Sequence, residues 1–384
     1  MKGHIRERSP GHWAIIIDLH DPETGKRRRK WHSFRGTRRQ AQVKCSELIA
    51  AIKGETYVDP SRQTLAQYLD KWLTYMASQL SPRSHERYTE IVRKNLAPSL
   101  GAICLTKLRS RHIADAYAKA LASGRRDGKG GLSTNTVVYM HRVLKQALAQ
   151  AVAWHELVRN EAAAVKPPKV ERKKMKVLDA DGTATLIEAA RDTTLFIPIL
   201  LGVTTGMRRG EVVALRWRHV DLDRGRISVE ESTEQTKSGI RFKAPKSGKG
   251  RTVALPKTVE EELRNQRLRQ AQALLKLGIR LSEDAFVVAG RPIQPRSLTH
   301  AFQLFLAKHK LPRVRLHDLR HTHATAMLKS KIHPKVVQER LGHSTIAITM
   351  DIYSHVLEGM QGDAAEIVDA ALQAALMKRR KEIR

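Results

Sequence analysis

Residues 204–217 read T-T-G-M-R-R-G-E-V-V-A-L-R-W. Gly206 breaks the apolar run before it, and Arg208 and Glu211 stand three apart near the start of a helix expected over 208–216. One helical face therefore carries a guanidinium beside a carboxylate. An arginine held in this way is rigid enough to offer its planar fork to a phosphate, a geometry lysine does not supply. Alone, such a pair is an ordinary surface ion pair; its meaning depends on what else the chain brings to it.

Two further segments supply that company. Residues 314–323, V-R-L-H-D-L-R-H-T-H, put His317 and Arg320 on one helical face, and residues 340–355, R-L-G-H-S-T-I-A-I-T-M-D-I-Y-S-H, set Gly342-His343 ahead of Tyr353. Two arginines flanking one phosphorus stabilise the charge that grows on the nonbridging oxygens as a pentacoordinate state forms. Such chemistry requires no metal and no other cofactor. Tyr353 is the candidate nucleophile. A phenol ionises at about pH 10, so its attack needs the arginines' field and a neighbour to receive or share the proton, a part His317 or His343 can take.

The three segments, in this order, resemble the Arg, His-x-x-Arg, Leu-Gly-His and Tyr boxes of the tyrosine recombinases, the phage integrase family. The resemblance extends by pattern to the whole chain, and no box position departs from it. It places the family's two phosphate-clamping arginines on Arg208 and Arg320, its acidic box position on Glu211, its histidines on His317 and His343 and its nucleophile on Tyr353. The family also uses a β-hairpin lysine as general acid toward the leaving 5′-oxygen. The F-K-A-P-K-S-G-K-G-R-T-V-A-L-P stretch of 242–256 resembles that hairpin, with Lys246 the first choice and Lys243 and Lys249 close rivals. The implied reaction is cleavage and rejoining of DNA through a 3′-phosphotyrosine, integrating or excising a mobile element such as a prophage without ATP. The implied partners are double-stranded DNA at core and arm sites, three further copies of the chain in a homotetramer, and an accessory DNA-bending protein. Ile367, Val368, Ala371, Leu372, Ala375 and Leu376 form an apolar stripe in the tail that could dock on a neighbouring copy or pack in cis.

Composition points to the same partner. Lys and Arg number 70 against 38 acids, a formal charge of +32, and the surplus is +6 over residues 1–60, +11 over 61–170 and +15 over 171–384. No single tail accounts for it, so each segment is expected to meet a polyanion. No stretch of about 18 apolar residues is present and the start, Met1 to Pro10, is charged, so neither a membrane span nor a signal peptide is expected. Cys45 and Cys104 lie far apart without metal-site spacing, and the chain reads as cytoplasmic.

Three rival readings have defined marks. A zinc hydrolase would use the cluster of His317, His321 and His323, but no HExxH motif or acidic ligand accompanies it. A type IB topoisomerase would share the chemistry and relax any supercoiled plasmid. A non-catalytic DNA-binding regulator would carry degenerate boxes.

The expected fold is multidomain and mainly α, with a small β-sheet in the catalytic domain. Strands over 13–19 and 29–34, joined by D-P-E-T-G-K, and a helix from Thr37 to about Lys53 predict a β-β-α arm-binding domain over 1–57. An all-α core-binding domain follows over 58–165, with Leu65, Tyr68, Leu69, Trp72, Leu73 and Met76 tracing one apolar face. The proline-containing basic stretch 166–176 reads as a linker. The catalytic domain spans 177–384, with strands near 226–231, 240–244 and 251–255 and helices on either side.

Overall fold

The computed structural model describes residues 2–20, 27–54, 57, 61–171, 175–245, 248, 250–353 and 360–382. The chain divides into two compact units, Met1–Arg172 and Lys173–Arg384.

The first unit begins with an antiparallel sheet of β1 (Lys2–Ser9), β2 (His12–His20) and β3 (Arg27–Arg35), followed by α1 (Arg38–Lys53). Strand β1 was not expected, because K-G-H-I-R-E-R-S offers one apolar side chain and no alternation. Pairing with β2, in which His4 faces Ile16 and Ile5 faces Ile15, decides its conformation. Thr37 and Gln40 close a capping box at the start of α1, which packs Cys45 against Ile15 and Ile17. The expected turn over 21–26 lies outside the described residues.

Helices α2 (Leu65–Met76), α3 (Pro82–Ile91), α4 (Ala97–Leu100), α5 (Ser110–Ser123) and α6 (Thr134–Ala153) complete this unit. All six apolar residues expected on the face of α2 are buried. They meet Val137, Met140, Leu144 and Leu148 of α6, and Trp72 stacks on Tyr88 with ring centroids 5.9 Å apart. The helix expected over 84–96 passes through a π-helical turn at Val92–Leu96, where Pro98 follows.

The second unit opens with α7 (Ala180–Ala190), α8 (Phe196–Thr205) and α9 (Arg209–Ala214). Two small sheets follow. One orders β4 (Val220–Asp221), β5 (Arg226–Val229) and β8 (Arg251–Ala254); the other pairs β6 (Ser232–Thr236) with β7 (Gly239–Lys243). The remainder is helical: α10 (Lys257–Leu275), α11 (Pro295–Lys308), α12 (Asp318–Lys329), α13 (Pro334–Leu341), α14 (Ile346–Tyr353) and α15 (Met360–Glu382). Helix α8 is buried almost throughout and packs on α12 through Leu319 and Gly202. That packing sets the Arg208 and Arg320 segments beside each other. On α15, Val368, Leu372 and Leu376 are exposed, and the side chain of Ile367 lies outside the described residues. Among the described residues no helix is long and apolar enough to cross a membrane.

Candidate active site

The site is built around the C-terminal turn of α13. The last carbonyls of a helix have no partner within it and carry the negative end of its dipole. Here three consecutive carbonyls each take a different guanidinium. Arg251 Nε donates to Arg340 O at 2.9 Å, Arg320 Nη2 to Leu341 O at 2.7 Å and Arg208 Nη2 to Gly342 O at 3.2 Å. Gly342 adopts a left-handed conformation, φ 66°, and a Cβ there would come within 2.9 Å of Arg251 Cδ.

Arg320 projects from α12 and is 2% exposed. Its Nη1 donates to Gly206 O at 2.7 Å. Gly206 ends α8 at φ 65°, and a Cβ there would strike Leu341 and His323, so the tight turn that starts the first box also supplies a seat for the second arginine. Burial and the neighbouring charge of Arg208 push the Arg320 guanidinium below its usual range, yet it stays charged at neutral pH.

Arg208 is the N-cap of α9. Its backbone N–H and Nη1 donate to the two oxygens of Glu211 at 2.8 and 2.9 Å. Its side chain is 24% exposed, which leaves it the most open of the three guanidiniums, whereas the Glu211 side chain is fully covered. Glu211 also accepts Arg251 Nη1 and Nη2, at 3.1 and 2.7 Å. Burial pushes its carboxyl up, and Arg251 and then Arg208 bring it below the usual carboxylate range.

Tyr353 closes α14, 1% exposed, packed against Ala324, Leu328, Val337 and Leu341. Its hydroxyl lies 2.8 Å from His321 Nδ1, one residue beyond Arg320 on α12. Burial pushes the phenol up to about 12, against the pull of Arg320. His317, the N-cap of α12, sets its ring edge-on to His321 with centroids 5.0 Å apart. Desolvation, then His321 and the charges of Arg320, Arg208 and Arg315, push His317 down to about 4. His343 follows the Gly342 turn with Nδ1 2.9 Å from Thr349 Oγ1, and desolvation with Arg320, Arg208, His321 and Arg251 pushes it down to about 4.

Arg208, Glu211, His317, Arg320, His343 and Tyr353 thus gather in one cluster. Lys246 lies outside the described residues, as does Lys249, while Lys243 pairs with Glu234 across β6 and β7. Sequence reading missed two members. His321 holds the phenol where His317 or His343 was expected to, and the i, i+4 spacing with His317 was noticed only as a metal motif. Arg251 was passed over as one more charge in a basic hairpin. His323 is engaged elsewhere, with Nδ1 3.0 Å from Val203 O and Nε2 accepting Arg340 Nε at 3.0 Å. Among the described residues no group of three or more His, Cys, Asp or Glu is arranged to hold a metal ion.

Comparison with known proteins gives the family and the fold. Residues 176–360 match the phage integrase family, and residues 64–121 match the phage integrase N-terminal SAM-like domain. The tyrosine recombinase XerC of Xanthomonas axonopodis pv. citri (strain 306) is 30% identical over 335 residues, covering 85% of this chain and 97% of that protein. The Tn1549 transposon integrase in complex with circular intermediate DNA shares the fold at TM-score 0.62 and 17% identity, over 79% of this chain and 99% of that one. A lambda integrase tetramer bound to a Holliday junction superposes at TM-score 0.55 and 20% identity, over 89% and 95% of the two chains. From the conjunction of the four boxes, the shared fold and a relative matched along nearly its whole length, the chain belongs to the phage integrase family of tyrosine recombinases, enzymes that cleave and rejoin DNA.

Proposed function

We propose that Tyr353 is the nucleophile with which this site-specific recombinase opens DNA, and that Arg208 and Arg320 clamp the scissile phosphate. The observation that carries the reading is the meeting of Arg208, Arg320 and the Tyr353–His321 pair around one helix end, from stretches far apart in the chain. Arg320 uses its Nη atoms on carbonyls and supplies a fixed field; Arg208, more open, offers contacts to nonbridging oxygens.

A phenol pushed up to about 12 is not ionised before it attacks. Proton transfer during the attack is therefore required, and His321 is placed to accept it on Nδ1 with Nε2 carrying the ring proton. Burial, opposed by Asp318 and aided by Arg320 and Arg315, holds His321 below its usual range, so the imidazole is neutral at pH 7. The Tyr353 Oη–P bond forms, the P–O5′ bond breaks, the phenolic proton passes to His321, and the 5′-oxygen takes a proton from the general acid. Lys246 is assigned that last part on family resemblance alone. His317 and His343, both neutral, contribute hydrogen bonds to the phosphate. The 5′-hydroxyl of a second duplex reverses the sequence and joins the new strand.

Residues 177–384 are read as the catalytic domain, 166–176 as the linker, 58–165 as the core-binding domain and 1–57 as the arm-binding domain. The matches to the catalytic and SAM-like regions and the basic sheet of β1 to β3 support this division. Exchange of both strands calls for four copies on two duplexes, and a lambda integrase tetramer is known bound to a Holliday junction. The exposed Val368, Leu372 and Leu376 of α15 suit a contact between neighbours. An accessory DNA-bending protein would bring arm and core sites together. The test is Tyr353→Phe on a nicked duplex that carries the joined ends of the encoding element. The variant is expected to bind as the wild type does and to form no covalent adduct; an adduct formed by the variant refutes the assignment.

A further inference from the structure

We propose that Arg251 is a positioning residue for DNA cleavage: it grips both oxygens of Glu211, the carboxylate that also holds Arg208, and so keeps the Arg208 fork against the Leu-Gly-His turn. The inference rests on the role of Arg208 proposed above and adds a residue that the four boxes do not contain.

All three nitrogens of Arg251 are engaged by the site's own scaffold. Nη1 and Nη2 span both oxygens of Glu211 and Nε takes the Arg340 carbonyl. Its side chain is 8% exposed, which leaves little of it open to a phosphate. Arg208 differs on both counts, sharing Glu211 Oε1 with Arg251 while remaining partly open. The fit is also steric, since the left-handed Gly342 leaves room for the Arg251 side chain where any Cβ would collide with it. Strand β8 is thereby tied to α9 and to the end of α13 through a single guanidinium.

The charges show why two arginines must hold one acid. The groups facing Glu211 are Arg208 from its own helix cap, Arg251 from β8 and Arg320 from α12. A fully covered carboxylate ionises only where such partners outweigh its burial, and of these Arg251 makes the larger contribution. Without Arg251, Glu211 takes up a proton at a higher pH. A neutral carboxyl grips Arg208 with one fewer charge-assisted bond.

The experiment follows covalent adduct formation on the same nicked duplex from about pH 5.5 to 9. It compares wild type, Arg251→Ala, Arg251→Lys, Glu211→Gln and the Arg251→Ala/Glu211→Gln double variant. Arg251→Ala is expected to be slower by about 10- to 150-fold at neutral pH, the effect of losing hydrogen bonds to a charged group. Its rate should climb with pH, about tenfold per unit below the raised Glu211 pKa, whereas the wild type declines only where His321 protonates. The double variant, with no carboxyl to titrate, should be slow without that added limb. Arg251→Lys keeps the charge but not the fork, so it should fall between wild type and Arg251→Ala in both rate and profile. Arg251→Ala within threefold of wild type at every pH overturns the inference, as does a slow variant whose pH profile is unshifted. Should Arg251→Ala not fold, an unshifted profile in Arg251→Lys overturns it equally. A wild type that forms no Tyr353 adduct refutes the site assignment together with this inference, whereas the preceding outcomes touch Arg251 alone.

Discussion

The helical bundle of the first unit and the cluster around α13 of the second are both closely packed, but by different means. In the bundle the largest fully covered side chains are Trp72 and Tyr68, and Trp72 Nε1 has no hydrogen-bond partner among the described residues. Area removed from water holds this region together, and an unanswered N–H is tolerated within it. Around α13 the covered groups include Arg320, Asp318, His321, His323 and Glu211. Each guanidinium there finds carbonyls or a carboxylate, since a buried charge without partners costs several kcal/mol. The bundle needs apolar residues of about the right size. The cluster needs particular donors aimed at particular carbonyls, and that demand is what makes it capable of chemistry.

The sharpest way to break this comparison is to remove the centre of each region. Trp72→Ala should cost about 3–5 kcal/mol of stability in the first unit, a cavity effect read by denaturant unfolding. A loss below about 1 kcal/mol would show that area is not what holds the bundle. Arg320→Ala should cost about 2.7–4 kcal/mol in adduct formation, read from single-turnover rates against wild type. A smaller loss, within a few-fold in rate, would mean that its seat on Gly206 and Leu341 is structural only.

Acid sharpens the contrast by another route. His323 is buried as the neutral ring, and burial with the charge of Arg340 pushes it down to about 4. The unfolded chain binds that proton near pH 6.5, so the stability His323 contributes is complete above about 6.5 and is lost as the pH falls toward 4. The slope is about 1.4 kcal/mol per pH unit for each such imidazole. His317 and His343 are also pushed to about 4 and add to it, whereas the bundle contains one buried histidine of this kind, His141. Amide exchange, scaled to the intrinsic rate at each pH, should therefore show α12 losing protection before α6 between pH 6.5 and 4. Parallel losses would remove the distinction.

The bundle was the more legible of the two in the sequence. The 3.6-residue recurrence of Leu65, Tyr68, Leu69, Trp72, Leu73 and Met76 declares a buried face directly, and each of these is buried. The capping boxes of Thr37 with Gln40 and Thr64 with Gln67 mark helix starts just as locally. Strand β1 was not legible, because a polar strand is decided by its neighbour's backbone and not by its own side chains. Strands β4 and β6 were missed for a related reason, being short and partly polar.

The residue types and order of the boxes, the spread of basic charge and the apolar rhythm of the helices were determined by the sequence itself, since each depends on spacing along one stretch of chain. Which carbonyl each guanidinium takes, that His321 holds the Tyr353 hydroxyl, and that Arg251 stands behind Glu211 were decided only by the tertiary structure. Those contacts join α9, β8, α12, α13 and α14. Hydrogen bonds between such distant stretches leave no periodic trace in the chain, because they are set by where packed helices end and not by how any one of them repeats.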